Sequence, residues 1–186
     1  MKTYIALLRG INVSGQKKIK MADLRAMLEN LGYASVITYI QSGNVIFKSN
    51  EETTTSLESV IKNEILNHFG YDVPVLVMTP AYLQSLYNEN PFIERLKNNE
   101  IEEKKMYFTM LSEVPNSKMT DQIAIHRSEG EAYFIEGKVV YFYASNGYGK
   151  TKLSNNLFEK KLKCTATTRN LKTVLKLLEL GSLKDV

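Results

Sequence analysis

Three short segments combine small polar residues and cations, two of them with glycine, in patterns typical of anion binding. The first is the loop that follows Arg9, residues 10–20, with the sequence G-I-N-V-S-G-Q-K-K-I-K. It precedes a predicted helix, and both loop amides and the positive end of a helix attract anions. Asn12, Ser14 and Lys17 are therefore candidate ligand-binding residues together with Arg9. The alternative is a surface connection whose lysines only maintain solubility.

The second segment, residues 144–151, reads A-S-N-G-Y-G-K-T and satisfies a relaxed phosphate-loop pattern with alanine in place of the first glycine. Lys150 would add positive charge to such a loop, and Thr151 would hold magnesium. Two features oppose a nucleotidase. The preceding strand is predicted to belong to a hairpin, and the chain that follows is too short for the remaining parts of such an enzyme. A flexible glycine-rich connection is the favoured interpretation.

The third segment places Thr168, Arg169 and Asn170 at the predicted start of the last helix. Thr168 is the predicted cap of that helix. An arginine in this position can bind phosphate or carboxylate through two hydrogen bonds. A capped helix with a solvated arginine explains the same residues equally well.

Covalent and metal chemistry have no positive support in the sequence. Cys164, His68 and His126 are widely separated and do not form a metal-ligating pattern. There is no G-x-S-x-G segment and no cysteine–histidine signature. We therefore predict no metal site, leave the cofactor unknown and favour a protein that is not an enzyme.

The composition predicts a cytoplasmic globular protein. The chain has 186 residues, of which 44% are hydrophobic and 24% charged. Its apolar runs are too short to span a membrane, and Arg9 interrupts the first of them before any signal-peptide cleavage site. A single cysteine cannot form an internal disulfide and is typical of a reducing cytosol. The net charge of +4 is a mild bias, and the lysines are concentrated near both ends of the chain. We expect no membrane partner.

The hydrophobic periodicity predicts the same order of elements twice. In the first half we predict strands at 3–9, 35–41, 44–48 and 73–78, and helices at 21–31 and 81–87. A third helix is predicted to begin at a capping box formed by Thr55 and Glu58. In the second half we predict strands at 105–111, 132–135, 138–144 and 163–166, and helices from Pro115, at 152–161 and at 169–180. The predicted fold class is α+β, with two ferredoxin-like βαββαβ-type subdomains (a tandem duplication) and additional helices. The predicted boundaries are 1–90 and 105–186, joined by a partly helical connector at 91–104.

Three segments taken together resemble a known bacterial family. They are L-L-R-G-I-N-V-S-G at 7–15, Y-I-Q-S-G-N-V-I-F at 39–47 and A-T-T-R-N-L-K-T at 166–173. They are similar, in this order, to segments of the family labelled domain of unknown function 1697. Ser14 stands where that family commonly has glycine, and Leu171 stands where it often has tryptophan. The resemblance implies two α+β subdomains with ferredoxin-like elements, and it carries no established reaction.

The resemblance also adds Gln41, Ser42 and Asn44 to the candidate residues, with a turn role for Asn44 as the structural alternative. Our leading hypothesis is a binding module for a small anionic or nucleotide-like ligand at the junction of the two subdomains. Two alternatives stay open. One is a nucleic-acid-binding protein in which Phe47, Tyr141 and Tyr143 stack on bases, although strand aromatics usually face a core. The other is an enzyme of unrecognised type.

Overall fold

The structure, a computed structural model, describes residues 1–124 and 128–182, so the prediction made for His126 lies outside the described residues. The chain divides into two compact units. The first unit comprises Met1–Gln84 and the chain from Lys176, and the second comprises Ser85–Leu175. Among the described residues, no helix has the length and apolar character needed to cross a bilayer.

The first unit is built on a four-stranded antiparallel sheet with the strand order β2-β3-β1-β4. Its elements are β1 (Lys2–Leu8), α1 (Met21–Asn30), β2 (Ala34–Tyr39), β3 (Asn44–Ser49), α2 (Thr54–Phe69), β4 (Val75–Met78) and the first part of α3 (Pro80–Asn88). The apolar run of β1 lies in the middle of the sheet, and residues 4–8 are all buried. This confirms the prediction of a strand that is buried on both faces.

Amphipathic helices cover one face of this sheet. Helix α1 buries Leu24 and Leu28, and α2 buries Leu57, Ile61 and Ile65, because apolar residues recur at helical spacing along each helix. These side chains pack in one cluster with residues of β1, β3 and β4. The first unit therefore has a hydrophobic core of its own.

The second unit contains a second four-stranded antiparallel sheet, with the strand order β6-β7-β5-β8. Its elements are the end of α3, α4 (Ile93–Lys97), a 3-10 turn (Glu103–Lys105), β5 (Met106–Leu111), α5 (Ser117–Ala124), β6 (Ala132–Glu136), β7 (Val139–Tyr143), α6 (Asn155–Leu162), β8 (Ala166–Asn170) and the first part of α7 (Leu171–Gly181). The connector predicted to be partly helical contains α4 and the 3-10 turn. The described chain is thus a mixed α/β protein with two antiparallel sheets.

The strand aromatics face hydrophobic cores. Phe47 and Tyr141 are fully buried, and Phe142 packs against Phe158 of α6 with ring centroids 5.8 Å apart. The Tyr141 hydroxyl donates to the carbonyl of Leu86 at 2.9 Å, which satisfies its one polar group. The prediction that Phe47 and Tyr141 serve the core is confirmed.

The bounds predicted for the last three elements, α6, β8 and α7, are wrong. Helix α6 begins at Asn155 and ends at Leu162. Its C-cap, Lys163, has a left-handed backbone (φ 60°) that cannot belong to the strand predicted there. Strand β8 instead extends to Asn170, because the run of β-branched threonines pairs in register with β5. Helix α7 consequently begins two residues later than predicted. Its cap is Asn170, whose Oδ1 accepts from the Thr173 amide at 2.9 Å, and Thr168 is not the cap.

The predicted capping box of α2 is also wrong. The helix begins at Thr54, and the carboxylate of Glu51 caps it from outside by accepting from the Thr53 amide at 3.0 Å and the Ser56 hydroxyl at 3.1 Å. The hydrogen bond from the Thr53 amide is the largest of the interactions that lower the pKa of Glu51. Hydrogen bonds to the ionised form favour it, so this cap is complete at neutral pH. The Glu58 carboxylate therefore does not cap α2 and instead accepts a hydrogen bond from β4.

Glu58 and Glu159 serve the two edge strands in the same way. Glu58 Oε1 accepts from the amide of Val77 in β4 at 2.8 Å, and Glu159 Oε1 accepts from the amide of Ala166 in β8 at 3.1 Å. Both strands lie at the end of their sheets and are paired on one side only. A backbone amide on the other side of such a strand needs an acceptor once it is shielded from water. In each unit the helix that precedes the edge strand supplies that acceptor.

Replacing Glu58 with alanine is expected to destabilise the protein by about 1–3 kcal/mol, because the part-buried Val77 amide loses a charged acceptor. Urea unfolding measures this change. Glu58→Gln is the matched control, since the glutamine side chain keeps a carbonyl oxygen in the same position. Equal losses in the two variants would mean that the hydrogen bond does not contribute.

Candidate anion-binding site

Asn12 holds the loop between β1 and α1 in place. Its Nδ2 donates to the carbonyls of Ile19 and Gln41, both at 2.9 Å, and its Oδ1 accepts from the Ile19 amide at 2.9 Å. The Asn12 amide also donates to the carbonyl of Lys17 at 3.2 Å, which closes a six-residue loop. Asparagine suits this position because it tolerates the left-handed backbone found there, with φ of 56°. One side chain therefore ties the loop to its own far end and to the β2–β3 turn.

The β2–β3 turn lies directly against the end of β1. The Leu8 amide donates to the Gly43 carbonyl at 2.8 Å, and Gly43 has a φ of 74°. A Cβ at Gly43 would lie 2.6 Å from the Leu8 Cβ and 3.0 Å from the Ile11 Cδ1. Only glycine fits this close approach, which explains the glycine of the turn in physical terms.

The tip of the loop presents three consecutive backbone amides. Within the described residues, the amides of Val13, Ser14 and Gly15 donate no hydrogen bond, and all three residues are exposed. Ser14 and Gly15 have left-handed backbones, with φ of 50° and 76°. Exposed backbone amides of this kind can donate hydrogen bonds to an anion. The Lys18 side chain lies beside this tip, since its Cε is 3.9 Å from the position of a Cβ on Gly15.

Arg9 and Lys17 lie at the two ends of the same loop. The Arg9 amide donates to the carbonyl of Pro74, and its side chain is half-buried with further contacts. The Lys17 ammonium donates to the carbonyl of Asp72. The Asp72 carboxylate pairs with Lys62 at 3.0 Å. Hydrogen bonds to the carbonyls of Pro74 and Asp72 therefore fix the positions of Arg9 and Lys17 in the first unit.

The candidates of the turn have structural roles. Asn44 is fully buried, and its Nδ2 donates to the Tyr39 carbonyl at 3.1 Å and to the Ser42 Oγ at 3.0 Å. Gln41 meets Asn12 through its main-chain carbonyl, so that contact does not depend on the glutamine side chain. The structure therefore brings seven predicted site residues into one region of the first unit: Arg9, Asn12, Ser14, Lys17, Gln41, Ser42 and Asn44.

The other candidates belong to the second unit. The Thr168 hydroxyl lies 2.6 Å from the Thr109 hydroxyl and donates to the Asn155 Oδ1 at 2.6 Å. Arg169 is 8% exposed, and its guanidinium donates to the Thr167 Oγ1 and the Thr168 carbonyl. Asn170 caps α7. These three residues alternate along β8, so Arg169 points to the face opposite the other two.

The phosphate-loop segment of the second unit does not lead directly into a helix. Residues 144–151 form turns, and α6 begins at Asn155 with Ser154 as its cap. The Thr151 hydroxyl accepts from the Leu153 amide at 3.0 Å. Lys150 is exposed. The geometry in which a helix N-terminus adjoins the loop lysine is therefore not present.

The second unit also contains a cavity of about 540 Å³ between α4, the 3-10 turn and the start of α7. Aliphatic side chains such as Ile93, Leu96 and Leu175 line it, together with Glu102 and Glu103. No predicted site residue lies on its wall. The described residues contain no group of three or more histidine, cysteine or carboxylate side chains that could hold a metal ion. The Cys164 thiol has a raised pKa because it is buried, which makes it a poor nucleophile.

Two antiparallel four-stranded sheets, each with its own helices, define the chain as an α+β protein. Residues 1–141 match the family described as protein of unknown function (DUF1697), and the chain belongs to this family. The predicted family membership is confirmed. A comparison with curated proteins found no match.

The fold is similar to that of a solved structure. It is a conserved bacterial protein from Streptococcus pneumoniae, with 24% sequence identity and a TM-score of 0.74. The similarity covers 97% of this chain and 98% of the other. It extends over both sheets and concerns the fold alone.

Proposed function

We propose that the protein binds a small anionic, nucleotide-like ligand at the loop of residues 9–20 in the first unit. The observation that carries the proposal is the set of three consecutive exposed amides at Val13, Ser14 and Gly15, which have no acceptor within the described residues. Asn12 holds these amides in a fixed geometry with three side-chain hydrogen bonds. A preorganised site loses little conformational freedom when it binds, and this favours affinity.

The charges around the amides support an anion. Lys18 lies beside the loop tip, Lys20 is exposed, and Lys17 lies at the closing hydrogen bond of the loop. A unit charge about 5 Å from a bound anion contributes on the order of 1 kcal/mol when both are exposed to bulk water. A phosphate group is the preferred anion because its several oxygens can accept from several amides at once. That Thr168–Asn170 also take part stays a prediction, as do nucleic-acid binding and an unrecognised enzymatic activity.

A titration with inorganic phosphate, followed by amide chemical shifts, tests the proposal. The amides of residues 13–15 are expected to show the largest shifts and to saturate together. Lys18→Gln is expected to weaken binding about fivefold, which corresponds to about 1 kcal/mol.

Lys2→Gln is the matched control for this titration. It removes the same charge from the first residue of β1, whereas the loop follows the last residue of that strand. Shifts spread over all exposed lysines, with no preference for residues 13–15, would contradict a defined site. Equal weakening by the two variants would show that only net charge matters.

We also propose that the two units arose by tandem duplication of a ferredoxin-like βαββαβ arrangement. The two sheets have the same strand order when their strands are numbered from the start of each unit. The edge-strand carboxylates Glu58 and Glu159 lie at equivalent places in the two units. An arrangement with two equivalent halves supports a shared origin. The amide loop described above lies in the first half.

A further inference from the structure

Two exposed aliphatic residues adjoin the amide loop. Val13 is 57% exposed and Ile40 is 51% exposed. Val13 directly follows Asn12, and Ile40 directly precedes Gln41, so the two residues flank the hydrogen bond that joins the loop to the β2–β3 turn. Apolar surface is thus placed on both sides of the contact that organises the proposed anion site.

Ile40 has an unfavourable conformation for its residue type. Its φ is 48°, in the left-handed region, where a β-branched residue crowds its own backbone. Glycine occupies that region at the nearby positions 10, 15 and 43, and asparagine occupies it at position 12. Ile40 also remains half exposed, so burial of its side chain contributes little to folding. The isoleucine at this position is therefore not explained by the stability of the first unit.

We infer that the ligand of this site carries an apolar group next to its anionic group, and that Val13 and Ile40 contact the apolar group. The inference rests on the proposed function and specifies that the organic part of the ligand is apolar where it adjoins the phosphate. The amides of residues 13–15 and Lys18 receive the charged group. Two sources share this chemistry, a freely soluble organic phosphate and the phosphate headgroup of an anionic lipid.

Comparison of hexyl phosphate with inorganic phosphate tests the inference. Hexyl phosphate is expected to bind about tenfold more tightly, because the aliphatic side chains cover part of its alkyl chain. Ile40→Asn is expected to remove most of this preference and to leave the affinity for inorganic phosphate unchanged. The same variant is expected to raise the urea midpoint, since asparagine tolerates the left-handed backbone.

Two further variants test the inference without changing Ile40, whose replacement could rearrange the β2–β3 turn. Val13→Ser removes the second aliphatic side chain and is expected to reduce the preference for hexyl phosphate without affecting the turn. Val60→Ser is the matched control, because Val60 is an exposed aliphatic residue on α2 of the same unit and should leave both affinities unchanged.

The outcomes separate the two proposals. If inorganic phosphate does not shift the amides of residues 13–15, the proposed function fails. If it shifts them but hexyl phosphate binds no more tightly, or if Ile40→Asn retains the full preference, only the ligand class fails. Sedimentation with vesicles that contain an anionic phospholipid distinguishes the sources. Free hexyl phosphate binding without vesicle binding assigns a soluble ligand, and vesicle binding that Ile40→Asn reduces assigns a lipid headgroup.

Discussion

Replacing Gly43 with alanine is expected to destabilise the protein by about 2–5 kcal/mol. The left-handed backbone at this residue costs alanine about 1–2 kcal/mol. The new Cβ, 2.6 Å from the Leu8 Cβ, forces the turn away from β1 at a further cost of about 1–3 kcal/mol. Urea or guanidinium unfolding, monitored by circular dichroism, measures the loss.

Gly70→Ala is the matched control for this substitution. Gly70 has the same φ of 74°, and no heavy atom lies within 4 Å of its Cβ position. Its replacement is therefore expected to show the conformational contribution alone, about 1–2 kcal/mol. If the two variants lost the same stability, the close contact between the turn and β1 would be of no energetic importance.

Replacing Asn12 with alanine is expected to have the second large effect, about 2–4 kcal/mol of stability together with loss of phosphate binding at the loop. The substitution removes three side-chain hydrogen bonds, each of which contributes about 0.5–1.5 kcal/mol. It also puts alanine in a left-handed backbone. Unfolding and the amide titration measure the two effects separately.

Asn12→Gly separates the side chain of Asn12 from its backbone. Glycine adopts the left-handed conformation without penalty but makes none of the three hydrogen bonds. We expect Asn12→Gly to be more stable than Asn12→Ala and to bind phosphate equally poorly. Retention of wild-type binding in Asn12→Gly would show that loop rigidity is not needed for the site.

Much of the fold could be predicted because most strands and helices have a local signal. The apolar run of β1, the helical spacing of Leu24 and Leu28, and the glycine of the β2–β3 turn each identify an element without reference to the rest of the chain. The end of the second unit lacks such signals. Residues 163–170 are short of apolar periodicity, and pairing with β5, a contact distant in sequence, decides that β8 extends to Asn170.

The candidate site was predicted in part. The polar signature residues identify the loop and the turn that the proposed site comprises, because asparagine, serine and glycine are common where a backbone turns sharply. The exposed amides, by contrast, carry no sequence signal, since any residue has one. Val13 and Ile40 were missed because an aliphatic residue in a sequence is normally a sign of burial. Glu58 was assigned to a helix cap because its true partner, the amide of Val77, is nineteen residues away.

The carboxylates at β4 and β8 have a consequence for association between chains. An open sheet edge is a template on which another polypeptide can add a strand, and such addition leads to aggregation. Glu58 and Glu159 each occupy one amide that an incoming strand would need, so they oppose strand addition at these two edges. At the opposite edge of the first sheet, the irregular register between Ala34 and Ile37 interrupts the template. An added strand would therefore meet an interrupted hydrogen-bonding pattern at β2, β4 and β8.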